Sequence, residues 1–451
     1  MRRLAIGMAA ASCLLPVPAI AQVEDRAQAA FDAYAAGEHA QALSLAQAAV
    51  QYTPDNASLW ALIGEAQAVL DRPGLAADAF GRAAATEPDP AKRSYLLRAQ
   101  VLQLVAADRQ AEARAIVLSA LTDEELDAAQ SLDWAMVAIT AGEDRLAQAI
   151  LSHDTVTADL TRQSALDAAY SAKREGMDVR AVQFFRAGLA LDAQDAAPLG
   201  PLQREHITRE IRELTRTWSV LGQVSYSTAG QTTAFLAIPE RGDTAVQMGA
   251  EVARRLGGWR NGRPLSLFGR VYHSRFSGED ALTGDASQGW LGARYKPLAD
   301  LNWQIEASRL VGLDAEGIDD WSLRTAISGG TGLEPETGRS NALFASYYGD
   351  VSYLIDHDLT FGLADGKAGY AFGLGAGATI TPYAITRFEY DTGRSEAAAL
   401  GAGFGASLRH WFAGNDTTAP RGFLELDIQA RQQIAGDERA SAVLATVTFA
   451  R

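Results

Sequence analysis

The chain has 451 residues, 48% hydrophobic and 21% charged, with 55 acidic against 40 basic side chains and a net charge of −15. That length suggests two or three domains, and the acidity argues against nucleic acid and against adhesion to anionic lipid, which both select clustered cations. Cys13 is the only cysteine, so once a leader is removed neither a disulfide nor a thiolate metal site is available.

Residues 1–21 read as a secretory signal: Arg2 and Arg3, an apolar run from Leu4 to Leu15, then Ala19-Ile20-Ala21 as a small-x-small cleavage site. Ala10-Ala11-Ser12-Cys13 weakly imitates a lipoprotein processing site, but the apolar run continues past the cysteine and the conventional site follows. No later stretch approaches about eighteen consecutive apolar residues, so no transmembrane helix is expected. An exported chain without one can pass the inner membrane and insert in the outer.

Residues 22–200 carry helical spacing rich in Ala, Leu, Gln and Glu, with almost no strand signal. Trp60, Gly64, Ala76, Phe80, Ala83 and Pro88 sit at the spacing of a tetratricopeptide (TPR) unit of about 34 residues, in which small residues let two antiparallel helices approach. One period earlier, Ala42, Ala49 and Pro54 mark a preceding unit. Further helices are expected near 91–106, 109–120, 124–140, 143–152, 163–175 and 178–191. Stacked pairs bury a continuous core and present a concave docking face. Trp60, Trp134, Tyr170 and Phe184 are read as core packing. After Ala197-Pro198-Leu199-Gly200-Pro201, a helix of alternating charge fills a linker over 201–216 and delivers the chain to the first strand.

From 217 to 451 the pattern changes to twelve runs of alternating apolar and polar residues: 217–229, 243–256, 264–276, 287–296, 300–310, 319–329, 341–354, 358–372, 378–391, 397–412, 421–433 and 439–450. In one of them Leu424, Leu426 and Ile428 point one way and Glu425, Asp427 and Gln429 the other, because a strand repeats every two residues. A soluble sandwich alternates too. Run lengths of ten to fourteen residues favour tilted membrane strands, which need roughly 9–11, and an even number suits a bacterial barrel. The expected fold is therefore an α + β multidomain chain: a TPR-like solenoid followed by an antiparallel transmembrane β-barrel. Arg270, Arg294, Glu306, Arg324, Asp350, Lys367, Arg387, Glu389, Arg409, Glu425 and Asp427 fall on the polar side and are the candidate lumen-lining residues. Trp218, Tyr226, Trp290, Tyr295, Trp321, Tyr390, Trp411, Phe412 and Phe449 lie near run ends and suit interfacial girdles. The row Gly401, Gly403 and Gly405 reads as space left inside a narrow lumen.

Little in the chain speaks for catalysis, and no enzyme activity or cofactor is expected. His39, His153 and His206 lie among helices without metal-ligand spacing. His273-Ser274, or His410 with Asp416, would form a Ser/His/acid site only through unseen tertiary contacts. Gly373-Leu-Gly-Ala-Gly377 has no following helix to offer phosphate and reads as a tight turn. The acidic loops 278–285 and 314–320 lack the full spacing of a calcium loop.

Five motifs in the second half now matter together: Arg212-Glu-Leu-Thr-Arg-Thr-Trp218, Tyr295-Lys-Pro-Leu-Ala-Asp-Leu-Asn-Trp303, Asp319-Asp-Trp-Ser-Leu-Arg324, Gly366-Lys-Ala-Gly-Tyr370 and Thr381-Pro-Tyr383. In order and spacing they resemble the bacteriophage-adsorption protein A family of outer-membrane proteins over about 205–451, and the TPR array in front also fits. The resemblance implies an outer-membrane component of exopolysaccharide export. It would work with an inner-membrane glycosyltransferase and be open to use by phage as a receptor. The implied partners are a polysaccharide-synthesis protein docked on periplasmic repeats, the polysaccharide chain, outer-membrane lipid and a phage tail protein. The alternative is a non-transporting outer-membrane anchor and interaction scaffold with a plugged lumen. The helical array is shorter than that of the larger polysaccharide-export porins, and Phe449 is followed by Ala450 and Arg451.

Overall fold

The structure, a computed structural model, describes residues 17–229, 244–277, 284–315, 317–334, 341–375, 377–415 and 417–451. Most of the expected leader, with Cys13, lies outside the described residues. The chain divides into two compact units between Ser171 and Ala172. Among the described residues no helix is long and apolar enough to cross a membrane.

The first unit is built from helices α1 (Val17–Ala35), α2 (His39–Val50), α3 (Ala57–Val69), α4 (Pro73–Thr86), α5 (Pro90–Ala106), α6 (Gln110–Thr122), α7 (Leu132–Thr140), α8 (Asp144–Ile150), the short α9 (Asp154–Thr157) and the start of α10 (Arg162–Arg174). The repeat of helix pairs, which runs on past Ser171, is visible in the backbone. Gly37, Asp71, Asp108, Gly142 and Gly176 all take positive φ after the first helix of a pair, in steps of 34, 37, 34 and 34 residues. Glycine and aspartate are the residues that tolerate this left-handed turn, which stops one helix and lets the next fold back. Starts are equally local: Asn56 accepts from the Leu59 amide, Asp89 from Ala91 and Lys92, and Pro73 and Pro90 take first-turn positions.

Packing then follows from small residues. Ala76 and Ala83 are fully buried beside Phe80. At Gly64 a Cβ would sit 2.9 Å from the Phe80 ring, so glycine is what allows α3 and α4 to close. Trp60 is half-buried between two core clusters, its indole N–H donating to the Pro54 carbonyl at 2.7 Å. Trp134 is wholly buried and donates to Ser94 Oγ at 2.9 Å. The helix expected over 124–140 is shorter. Two 3-10 turns occupy Glu124–Leu126 and Ala128–Gln130, and α7 starts only at Leu132. Asp123 caps the first turn, Asp127 is left-handed, and Ser131 accepts from the Trp134 amide, so three local stop-and-start signals interrupt the run.

The second unit holds the rest of α10, α11 (Asp178–Asp192), α12 (Pro201–Thr215) and twelve strands. These are β1 (Trp218–Ser227), β2 (Thr244–Leu256), β3 (Leu265–Ser277), β4 (Gly284–Tyr295), β5 (Asn302–Gly312), β6 (Asp320–Thr331), β7 (Asn341–Leu354), β8 (Leu359–Gly375), β9 (Ala378–Asp391), β10 (Ala398–Phe412), β11 (Gly422–Gly436) and β12 (Ala442–Ala450). Each falls within three residues of its expected run. Neighbours in sequence pair antiparallel and β1 pairs with β12, which closes the barrel. The seam runs from Leu221↔Ala450 to Ser227↔Leu444. Arg451 extends it, exchanging backbone hydrogen bonds with Val220 at 2.7 and 2.8 Å. The last two residues thus belong to the closure.

Period-two alternation sorts the side chains. Leu424, Leu426 and Ile428 are 41–49% exposed on the outer wall, while Asp427, Gln429 and Arg431 are at most 6% exposed inside. An apolar outside, a polar inside and no open edge is the arrangement by which a sheet satisfies its backbone in lipid.

Candidate functional site

Strand direction defines two ends. Odd strands start, and even strands finish, at the near end, where the chain enters the barrel at Trp218; the far end carries the opposite turns.

All eleven charges singled out from the sequence lie on the inward face, and the structure brings them into two networks. Across β2 to β7, Arg270 donates to Glu251 at 2.7 and 3.0 Å. Arg294 donates to both Glu251 (2.8 and 3.0 Å) and Glu306 (3.0 and 3.1 Å). Arg324 joins Glu306 to Asp350, reaching Asp350 at 2.7 Å, and donates to the Tyr348 hydroxyl. Across β8 to β11, Lys367 reaches Asp427 at 3.1 Å, Tyr383 donates to Asp427 at 2.7 Å, Arg387 pairs with Glu389 at 2.7 Å and Arg409 with Glu425. Arg431 and Arg439 also approach Glu389.

Burial tells what fills the lumen. Arg270, Glu251, Glu306, Arg387, Arg431 and Arg439 are only 4–6% exposed, whereas side chains lining a wide aqueous pore stay wet. The far half holds an apolar cluster of Tyr272, Trp290, Leu310 and Leu354, with Ile318 and Phe361 packed against it. The near half is less tightly filled: Arg294, Lys367 and Arg409 side chains are about one-fifth exposed. A cavity of about 110 Å³ lies there between Asn302, Gln304, Ser328 and Tyr348.

Two expectations change. Trp290 belongs to this inner cluster, edge-on to Tyr272, and not to the outer girdle. It shares the parity of Gln288 and Arg294, which already marked its face. Nor is the space beside the glycine row empty. The Tyr383 ring lies where a Gly405 side chain would start, and the Ala440 carbonyl, in the 3-10 turn Glu438–Ala440, covers Gly401. Glu251, Arg431, Tyr348 and Tyr383 were missed, although their inward parity was readable; Arg439 was missed because it reaches inward from the 3-10 turn and not from a strand.

Helix α12 closes the near end. Arg212 donates to Glu334, two residues beyond Gly332 at the end of β6, at 3.0 and 3.2 Å, and to the Pro420 carbonyl at 3.2 Å. Arg209 reaches Glu334 at 3.2 Å. The Ala419 amide donates to the Thr208 carbonyl, Arg421 to Thr215 Oγ1, and Arg255 of β2 to the Glu213 carbonyl. These attachments lie at β2, after β6 and between β10 and β11, roughly four strands apart on a ring of twelve. A straight helix of 15 residues, about 22 Å long, can meet all three only by crossing the opening. Burial works against the Arg212 charge, but Glu334 and Glu213 outweigh it and hold the guanidinium above its ordinary pKa. The first turn of α12 is tied back by Arg204 to Asp192 (2.9 Å), and its second half by Glu210 to Lys173 (2.6 Å).

The His273–Ser274 reading fails on geometry. His273 Nδ1 contacts Ser287 Oγ at 3.0 Å on the outer wall, while Ser274 points inward, so adjacent residues sit on opposite faces. Asp416 lies outside the described residues. His357 binds the buried Asp320 at 2.7 Å, and that carboxylate also accepts the Asp356 and Trp321 amides. Asp314 and Asp319 likewise accept the Gly317 and Gly312 amides, so these acids serve the turn. Most of the loop 278–285 is outside the described residues. Gly375 and Gly377, both with positive φ, turn β8 directly into β9.

No curated protein matches the chain. Among solved structures it is similar to an outer-membrane channel from Pseudomonas putida F1 (11% identity over 53% of this chain and 97% of that one, TM-score 0.31) and to the KdgM porin (9%, 51% and 97%, TM-score 0.28). Its helical half is similar to YrrB, a TPR protein with an unusual peptide-binding site (15%, 37% and 84%, TM-score 0.30). Residues 279–447 match the family model described as the C-terminal part of bacteriophage N adsorption protein A, so the resemblance read from the barrel motifs is shown over that stretch.

Proposed function

We propose that this outer-membrane TPR and barrel protein acts in exopolysaccharide export, with its repeats in the periplasm docking a polysaccharide-synthesis partner of the inner membrane. The observation that carries the reading is α12. It is a polar-fastened helix across the entrance of a polar-lined barrel, and it continues the chain from the repeats, so a partner held by the array has a lever on the opening. The far-end loops are the surface a phage tail protein uses in this reading. The lumen-lining role of the eleven charges belongs to the same proposal.

A second reading, the non-transporting anchor, is favoured by the dense burial of the inward charges. Deleting residues 22–171 and measuring secreted polysaccharide separates the two, with gel migration confirming that the barrel still folds. Export predicts a loss of secretion of tenfold or more. Unchanged secretion from an intact barrel removes the export role of the array.

A further inference from the structure

The arginines at the end of α12 outnumber the carboxylates that reach them. Glu334 is taken up by Arg209 and Arg212, and Glu213 is paired with Arg212. Arg216, Arg255 and Arg421 are left with no carboxylate within 4 Å among the described residues. Arg255 donates to the Glu213 carbonyl and lies over the Trp259 ring, and Arg421 donates to a threonine hydroxyl. Arg216 Nε is buried and has no hydrogen-bond partner at all.

Helix-end geometry explains part of this. Cations gather at a helix C-terminus, where carbonyls are unpaired and the dipole is negative. That covers Arg255 and Arg421, whose donors go to residues of the last turn. It does not cover the Arg216 side chain, which lies just past the helix: the backbone amide of Arg216 takes the Arg212 carbonyl, while its guanidinium takes none. Burial lowers the Arg216 pKa and neighbouring Arg212 adds to it, while Glu213 and Glu334 oppose the shift without cancelling it. In a chain of net charge −15, a cationic surplus at one opening points to a ligand, because buried unpaired charge is costly.

We infer that Arg216, Arg255 and Arg421 form an oxyanion site at the near mouth of the barrel, which takes a phosphate, sulfate or carboxylate group. Planar guanidiniums suit such groups. The group is either a small free anion or an acidic substituent of the glycan; only the second source rests on the export reading.

The full chain in detergent tests this by thermal unfolding in sodium phosphate against sodium chloride of equal ionic strength. Phosphate is expected to raise the midpoint saturably above the chloride control. Arg216→Gln with Arg255→Gln removes the saturable part, Arg421→Gln weakens it, and Arg254→Gln, altered on the outer wall, leaves it unchanged. Each variant is first checked for barrel migration on unheated gels. Equal midpoints in the two salts, or the same phosphate response in the folded double variant, would overturn the site. A second arm titrates oligogalacturonate against a neutral malto-oligosaccharide of the same length. At least tenfold tighter binding of the uronate, lost in the double variant, assigns the group to a polymer. Phosphate binding without uronate binding keeps the site and overturns the glycan source, while the secretion assay judges export separately.

Discussion

Glu251→Leu is expected to lower the unfolding midpoint of the barrel in detergent by roughly 10 °C. Glu251 is 5% exposed and accepts four hydrogen bonds of 2.7–3.0 Å, two from Arg270 and two from Arg294. Leucine fills similar space but takes away both short carboxylate bonds of Arg270, itself 4% exposed and 3.5 Å from Glu306. Removing one partner of a buried pair costs about 3–5 kcal/mol because the other charge stays desolvated, and each kcal/mol moves the midpoint of a unit this size by about 2–4 °C. The control is Glu251→Leu with Arg270→Leu, which removes both charges of the pair. Recovery of a third or more of the loss in the double variant identifies the uncompensated charge as the cause. A single variant as stable as the parent would mean that water already solvates these groups and that the lumen is open.

Glu334→Arg is expected to expose the near vestibule. It replaces one carboxylate held by Arg209 and Arg212 with a third cation. Charge-assisted hydrogen bonds contribute about 1.5–3 kcal/mol each. Glu334 is about one-third solvent-exposed, so solvent screening reduces the whole clasp to about 2 kcal/mol, which shifts the fastened-to-released ratio roughly 30-fold. Ser328→Cys places a single reporter thiol beside the vestibule cavity, with Cys13 replaced by serine. Its reaction with a maleimide-polyethylene glycol should be slow when α12 is seated and roughly 30-fold faster with Glu334→Arg. Equal rates would place the closure in the lumen packing alone.

The barrel was legible because one rule, period two, acts on every strand: parity alone puts Arg270, Glu306 and Asp427 on the same inner wall. The same rule contained Glu251, between outward Ala250 and Val252, and Trp290, between Gln288 and Gly292; Trp290 was assigned to a girdle because it lies near a run end. The repeats were legible at Trp60, Gly64 and Phe80 because close helix approach admits few residue types there. The interruption near Asp127 was not, since Ala and Leu on either side continue a helical composition and only the caps break it. The course of α12 was beyond any local signal. It depends on Glu334 and Ala419, which lie 122 and 211 residues from their partners Arg212 and Thr208, and nothing in 201–216 names them.

The most direct measurement is gel migration of the purified membrane fraction with and without boiling. A cylinder whose rim hydrogen bonds are complete resists detergent and runs compactly until heated, so two bands that interconvert on boiling are predicted, from protein extracted only by detergent. A single band at both temperatures, from protein that leaves the cell envelope without detergent, would contradict the account.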